Sequence, residues 1–262
     1  MISVGEAKKI IAENIISLSP VNVSLEKALG KVLAEDVYAT IDIPAYPQSS
    51  MDGYAFAFAD WKKNERLTIK GEMAAGANEA IELKKYHAVR IFTGAPVPPG
   101  ADTVVMQEKV SIEDSTLLIK DENLLQGTSV RPKGAEMKSG ELALEKNSLL
   151  TPPAIGFLAG LGITEIKVYP LPSVSIIVTG NELQQPGEPL QYGQVYESNS
   201  FTLKAALNEL GIEDITVLKV ADTLEAVIAV LEKSLATSDV VLLTGGISVG
   251  DYDFVLKAAT NC

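Results

Sequence analysis

Acidic side chains follow three stretches of this sequence that have the composition of buried strands. The acids are Glu182, Asp222, Asp251 and Asp253, and the stretches before them are Val174–Thr179, Ile215–Val220 and Val240–Thr244. Helix-like segments alternate with these stretches, which predicts a parallel, doubly wound sheet. Ligands of such sheets bind beyond the carboxyl ends of the strands, so the acids are expected at one edge. Carboxylates gathered there are typical of a Mg²⁺ site that also uses phosphate oxygens of the ligand.

A glycine-rich turn, TGGISVGDYDF, follows the third of these strands. Its small residues are Gly245, Gly246, Ser248 and Gly250. Glycines let backbone N–H groups approach an anion, and the helix expected from Asp251 onward would add partial positive charge. We interpret the turn as a phosphate-binding loop in which Asp253 helps to hold a bridging metal. Because Gly-Lys-Ser/Thr is missing, ordinary nucleoside triphosphatase chemistry is disfavoured.

Each of these features alone also has a purely structural interpretation. Asp222 stands where a helix N-cap would be, and Asp251 could be first-turn charge. Glu182 could be a solvated loop acid, and the glycines could serve only tight packing. The coincidence of three acids at one sheet edge favours a binding site.

Composition excludes several classes of function. The net charge of -12 disfavours nucleic acid and anionic lipid as partners. His87 is the only histidine and Cys262 the only cysteine, so Ser-His-Asp, Cys-His and histidine-rich metal chemistry are close to excluded. We find no apolar run near the roughly 18 residues of a membrane span and no signal-peptide pattern, and we expect a cytoplasmic protein.

The rest of the chain divides into regions that differ in composition and in predicted secondary structure. Before the α/β region we predict the following elements: a capped helix from Ser3 to Leu18, a short helix from Ser24 to Gly30, extended chain over Lys31–Tyr38, β-runs at Val89–Phe92, Thr103–Gln107 and Val110–Ile119, a helix after Thr151, and a hinge at Val168–Pro172. Helices are also predicted over Ser200–Leu210 and Thr223–Leu235. The fold class is therefore multidomain α/β plus β.

Two loops of the β-rich region carry unusual sequences, PAYPQSSMDGYAF and RIFTGAPVPPGADTVVMQE. From spacing alone, turn chemistry explains them. Together with VRPKGAEMKSGE, VTGNEL, GQVYESNS and LLTGGISVGDYDF, however, they resemble the molybdopterin molybdenumtransferase family, the MoeA proteins and the E domain of gephyrin. The matches run in family order from about Pro44 to Phe254. Several motifs in the correct order are far more specific than any one of them.

The resemblance implies an activity and a site. The family inserts molybdate into adenylylated molybdopterin and releases AMP, assisted by a divalent cation, usually Mg²⁺. Its members are homodimers with a cleft between the α/β domain of one subunit and the β-rich domain of the other. The matching positions are Asp52 and Thr93 in the β-rich domain, and Glu182, Asp222, Asp253 and the glycine loop in the α/β domain. Glu136 stands where the family usually has aspartate.

The resemblance also implies a domain division. The expected parts are an elongated region of residues 1–38 and 142–170, a β-rich insertion of residues 39–141, and a molybdopterin-binding α/β domain of residues 171–262. The family's Lys-Pro-Gly-Lys-Pro-like stretch, Pro-Gly-Asn-Pro stretch and C-terminal β-barrel domain have no counterpart in this sequence. We therefore expect a C-terminally truncated member, an inactive or weakly active fragment.

Other functions stay open at this point. A non-catalytic molybdopterin-binding or scaffold module is the main alternative, and a molybdopterin adenylyltransferase is disfavoured by the two β-rich motifs. Partners among other proteins of molybdenum cofactor biosynthesis are compatible with the resemblance. The sequence does not separate molybdate from tungstate, because the two oxyanions have nearly the same shape and charge.

Overall fold

A computed structural model describes residues 2–77, 79, 81–246 and 254–262. The chain forms two compact units. The first unit comprises Met1–Glu35, Lys146–Ile155 and Glu165–Cys262, and the second comprises Asp36–Glu145 and Gly156–Thr164. The three-part division expected from the sequence stays a prediction.

The described residues form the following helices and strands. The helices are α1 Val4–Asn14, α2 Phe58–Asn64, α3 Pro152–Gly160, α4 Asn199–Glu209, α5 Leu224–Thr237 and α6 Phe254–Asn261. The strands are β1 Val21–Ser24, β2 Val32–Leu33, β3 Val37–Tyr38, β4 Gln48–Ser49, β5 Gly53–Phe56, β6 Arg66–Met73, β7 His87–Ile91, β8 Thr103–Met106, β9 Val110–Glu113, β10 Thr116–Ile119, β11 Val130–Arg131, β12 Leu142–Leu144, β13 Glu165–Tyr169, β14 Val174–Thr179, β15 Leu183–Gln184, β16 Val195–Tyr196, β17 Ile215–Val220 and β18 Val240–Thr244.

The first unit contains the predicted parallel sheet. Its strands lie in the order β17-β14-β18, and Val174 pairs with Ile215 on one side and Val240 on the other. Every residue of β14 is buried, as expected for a continuous apolar run in a parallel sheet covered on both faces. One face packs against Leu203 and Leu207 of α4. The other face packs against α5 and α6, so the sheet lies inside a three-layer structure.

The second unit is built on a six-stranded mixed sheet. Its order is β8-β5-β7-β6-β10-β9, with β6 and β7 parallel and the other neighbours antiparallel. Strand β5 pairs with β7 and β8 and is buried along its whole length. Phe56 and Trp61 form an edge-to-face pair in the core beside it, with ring centroids 6.2 Å apart. The two sheets confirm that the chain has a β-rich part and a mixed α/β part.

Two local predictions were wrong, and a third lacked detail. The β-run predicted at Val110–Ile119 is β-structure, but it is a hairpin of β9 and β10, because Asp114 and Ser115 turn the chain with positive φ angles of 45° and 67°. The expected hinge at Val168–Pro172 overlaps β13, which pairs with both β1 and β2. The short helix after Ser24 is a single 3-10 turn, Leu25–Lys27. Long-range pairing and turn geometry decided these segments, and local composition does not report either.

Helix α1 begins with the predicted capping box. The Glu6 backbone N–H donates to Ser3 Oγ, and the Ser3 N–H donates to a Glu6 carboxylate oxygen at 2.7 Å. These bonds from Ser3 hold the pKa of Glu6 below its usual value. The helix ends at Asn14, earlier than predicted, and none of its residues is buried. Among the described residues, no helix has the length and apolar character needed to cross a membrane.

Candidate functional site

The carboxyl edge of the parallel sheet brings together the loops predicted to bind a ligand. Strand β14 comes first in the chain and lies at the centre, with the second strand, β17, on one side and the third, β18, on the other. The chain first adds β17 on one side of β14 and then crosses back to add β18 on the other side, so the strand order reverses between β14 and β18. In sheets of this order the crevice at the switch point is the usual ligand site.

The beginning of the glycine loop lies against the end of β14. A Cβ atom on Gly245 would stand 2.1 Å from the Thr179 carbonyl oxygen, and Gly245 has φ +93°. A Cβ atom on Gly246 would stand 3.3 Å from Thr179 Cγ2 and 3.7 Å from Asp222 Oδ1. Only glycine fits the first position, because any side chain would collide with backbone. Gly245, Gly246, Thr179 and Asp222 thus share one small region.

Asp222 is held by a buried hydroxyl and not by a helix terminus. Thr179 Oγ1 donates to Asp222 Oδ1 at 3.0 Å, and the Asp222 N–H points to Asn181 Oδ1 at 3.4 Å. The N-cap of α5 is Thr223, whose hydroxyl accepts from the Ala226 N–H. The interpretation of Asp222 as a helix cap is therefore wrong, and its carboxylate is available to the sheet edge.

Glu182 lies in the loop that leaves β14. Its side chain is exposed, and its Oε1 would be 3.0 Å from a Cβ atom on Gly180. Its carbonyl accepts from the Val195 N–H at 2.9 Å, which ties the loop to β16. Within the described residues, no group of three or more histidine, cysteine, aspartate or glutamate side chains is placed to hold a metal ion. Ser248, Gly250, Asp251 and Asp253 lie outside the described residues, and their roles stay predictions.

Sequence reasoning missed three polar residues at this edge. They are Thr179, Asn199 and Thr244. The Asn199 side-chain amide donates to Thr244 Oγ1 at 2.8 Å, which links the first residue of α4 to the last residue of β18. Thr179 and Asn199 lie inside the motifs VTGNEL and GQVYESNS, so the motifs marked the right segments. Only the structure shows which side chain contacts which loop.

The second unit brings Asp52 and Thr93 together across 41 residues of sequence. Asp52 Oδ1 accepts from the Thr93 backbone N–H at 2.7 Å and from the Thr93 hydroxyl at 2.8 Å. The Asp52 carbonyl accepts from the Gln107 N–H at 3.1 Å. The backbone and hydroxyl bonds from Thr93, with a smaller contribution from the charge of Arg90, hold the pKa of Asp52 below its usual value. Asp52 is thus an exposed, oriented carboxylate.

Arg90 supports the loop that carries Asp52. Its guanidinium donates to the Gly53 carbonyl at 2.9 Å and to Gln107 Oε1 at 2.5 Å. It lies over the rings of Tyr54 and Phe92, at 5.2 Å and 4.8 Å from their centroids. This cation–π arrangement and the two donated bonds fix the end of β5 where Asp52 enters it.

Glu136 lies in the second unit and is paired with an arginine. Its carboxylate accepts from Arg131 Nη1 at 3.0 Å, and both side chains are about half exposed. They line a cavity of about 360 Å³ that also includes Pro44 and Tyr46. An exposed pair of this kind stabilises little, so Glu136 remains accessible for a ligand.

The two units define the class of protein to which the chain belongs, a mixed α/β protein with a β-rich part and a parallel nucleotide-type sheet. A family model for the MoeA N-terminal region (domain I and II) matches residues 2–162, and a model for a probable molybdopterin binding domain matches residues 175–262. The chain belongs to the MoeA family.

Individual relatives agree with this assignment. A molybdopterin molybdenumtransferase of Haemophilus influenzae is 36% identical over 231 residues, which cover 88% of this chain and 57% of the relative. Molybdopterin molybdenumtransferase 2 of Mycobacterium tuberculosis is 34% identical over 263 residues, covering 98% and 65%. The crystal structure of a molybdopterin biosynthesis MoeA protein from Pyrococcus horikosii has a TM-score of 0.84 at 32% identity, covering 100% of this chain and 66% of that one. The chain spans less than two thirds of the length of these relatives.

Proposed function

We propose that the protein acts in molybdenum cofactor biosynthesis and inserts molybdate into adenylylated molybdopterin, with release of AMP. The observation that carries this proposal is the convergence of Gly245, Gly246, Thr179 and Asp222 at the switch point of the parallel sheet. Family membership supplies the reaction, because relatives that match this chain are named molybdopterin molybdenumtransferases. In the second unit, Asp52 supplies a carboxylate, and two hydrogen bonds from Thr93 orient it.

Mg²⁺ belongs to the same proposal. The available donors in the first unit are the carboxylates of Asp222 and Glu182, and oxygen donors of this kind suit a hard cation that keeps several waters. Asp222 is already oriented by Thr179, as expected for a carboxylate with a supporting partner. When bound, the cation would neutralise phosphate charge of the pterin nucleotide. A cytoplasmic location belongs to the proposal as well.

Calorimetry and an AMP-release assay test this function. We expect the chain to bind adenylylated molybdopterin. We expect AMP release, given molybdate and Mg²⁺, from an intact enzyme, meaning a protein in which these 262 residues are followed by the family's C-terminal segments. Release should be slow or absent with the 262 residues alone, because the family's lysine-containing stretch is not among them. Binding without turnover by the intact enzyme would favour the non-catalytic module, and no binding by either would contradict the proposal.

We further propose that the protein is a homodimer, as its family resemblance implies. Helix α1 supports this, because its apolar side chains lie in water: Val4 is 75% exposed and Ile11 is 62% exposed. A contiguous apolar helix face of this kind is costly to leave uncovered.

A substitution on this face tests the dimer. We expect Ile11→Asp to shift the protein toward monomer in analytical ultracentrifugation, because a charge would have to be buried in the interface. Lys9→Asp is the control for a change of charge alone and should leave the sedimentation unchanged, because at about 100° per residue Lys9 is turned about 160° around the helix from Ile11. A dimer of wild-type strength in the Ile11→Asp variant would show that α1 is not part of the interface.

A further inference from the structure

We infer that Thr179 is a positioning residue of the site, coupling the glycine loop to the carboxylate of Asp222. This inference rests on the proposed function for its ligand and on the coordinates for its geometry. Thr179 is the last residue of the central strand β14 and is only 2% exposed. Three different parts of this one residue contact three different parts of the site.

The hydroxyl group acts on Asp222. Thr179 Oγ1 donates to Asp222 Oδ1 at 3.0 Å. A hydroxyl has one proton to donate, and a buried hydroxyl without a partner costs free energy, so its direction is fixed. The β-branched side chain of threonine also restricts its χ1 rotation in a strand. One carboxylate oxygen of Asp222 is thus held by Thr179, and the other has no hydrogen-bond partner among the described residues, which suits a role in binding a cation or a ligand.

The methyl group and the carbonyl act on the glycine loop. Gly245 passes so close to the Thr179 carbonyl that a Cβ atom there would stand 2.1 Å from the oxygen. Gly246 passes beside Thr179 Cγ2, where a Cβ atom would stand at 3.3 Å. Thr179 therefore helps to set the positions of Gly245 and Gly246 relative to Asp222, together with Val255, whose Cγ2 would stand 3.1 Å from a Cβ atom on Gly246. Serine would keep the hydroxyl without the methyl, and valine would keep the shape without the hydroxyl.

Strand β14 offers a matched control. Ser175 is also buried, at 1% exposed, and its hydroxyl lies 2.7 Å from Ser238 Oγ. It is four residues from Thr179 and close to the opposite end of the strand, away from the carboxyl edge. Ser175→Ala therefore removes a buried hydroxyl bond from the same strand without touching the site. Any general loss of stability should be shared by the two variants, whereas a positioning effect should not.

The test compares the Thr179→Val, Thr179→Ser and Ser175→Ala variants of the chain. We expect Thr179→Val to weaken binding of Mn²⁺, used as a probe for Mg²⁺, and of adenylylated molybdopterin by about 10- to 100-fold, the usual effect of removing a supporting partner of a metal-ligand carboxylate. Thr179→Ser should bind within a few-fold of the wild type, and Ser175→Ala should bind like the wild type. Wild-type binding by Thr179→Val, or an equal loss in Thr179→Ser or Ser175→Ala, would overturn the inference.

Crystal structures of the wild type and Thr179→Val separate this inference from the proposed function. If the wild type binds neither Mn²⁺ nor the pterin nucleotide, the proposed function fails, but the geometry can still be judged. We expect the Asp222 carboxylate to rotate away from position 179 in the variant. An Asp222 carboxylate that keeps its wild-type position would overturn the inference, whatever the binding data show.

Discussion

Gly53→Ala is expected to unfold or strongly destabilise the second unit. A Cβ atom at this position would stand 1.9 Å from the Val105 carbonyl oxygen and 2.8 Å from the Val105 carbonyl carbon. These are backbone atoms of β8, and β5 is also paired with β7, so neither side can yield without breaking a ladder. Overpacking typically costs about 1 to 3 kcal/mol and more where backbone must move. We expect at least about 3 kcal/mol here, a large part of a typical domain's stability.

Fluorescence of Trp61, the only tryptophan, reports this effect. Trp61 packs against Phe56 of β5, so its emission follows unfolding of the second unit during denaturant titration. Gly156→Ala is the matched control, because a Cβ atom added there, inside α3, meets nothing within 4 Å. The control should be neutral or more stable by up to about 1 kcal/mol, since alanine favours helix. Equal midpoints for Gly53→Ala and the wild type would mean that β5 and β8 lie farther apart than described.

The second large effect is expected from Asp52→Asn, which should slow AMP release by the intact enzyme by about 100-fold or more. Asparagine keeps an oxygen that can accept from the Thr93 N–H and hydroxyl, so the loop should hold its shape. The change removes a negative charge, because an aspartate is ionised at neutral pH and the lowered pKa of Asp52 favours that form further. Loss of a group that positions a reacting ligand can cost about 10²-fold in rate, whereas a carboxylate with no such role would contribute much less.

Asp121→Asn is the control for this substitution. Asp121 lies in the same unit, and its pKa is also lowered, chiefly by the hydrogen bond from Lys109 at 2.7 Å. It lies outside the predicted site, so its amide variant should release AMP at the wild-type rate. Circular dichroism of both variants should match that of the wild type. An unchanged rate in Asp52→Asn would remove Asp52 from the site, and an equal loss in Asp121→Asn would show that the assay reports a general effect of charge.

The lowered pKa of Asp52 also sets the direction of its pH dependence. Its bonds from Thr93 favour the ionised form in the folded state, so they stabilise the fold fully above the ordinary aspartate pKa of about 3.9. That contribution is lost as the pH falls through the lowered pKa. The Asp52→Asn variant should therefore lose less stability than the wild type between neutral and strongly acidic pH.

The sequence by itself determined the parallel sheet and the edge at which its loops meet. Continuous β-branched runs give Val174–Thr179, Ile215–Val220 and Val240–Thr244 with the bounds that the structure shows. This succeeds because side-chain periodicity and burial are local properties. Because the carboxyl ends of parallel strands share one edge, Asp222 and the glycine turn could be placed there before any coordinates. The ordered motifs identified the family.

Only the tertiary structure decided which side chains hold each other. The bond from Thr179 to Asp222 joins residues 43 positions apart, and the bonds from Thr93 to Asp52 join residues 41 apart. No local pattern encodes these distances, so Thr179 went unnoticed and Asp222 was given a helix-capping alternative that belongs to Thr223. The hairpin at Asp114 was missed although Asp114 and Ser115 are residue types typical of turns, because β-propensity on both sides of them made the segment look like one run. Contacts between distant segments form only when packing fixes the backbone. For that reason, only the tertiary structure shows which residues hold Asp222 and Asp52 in place.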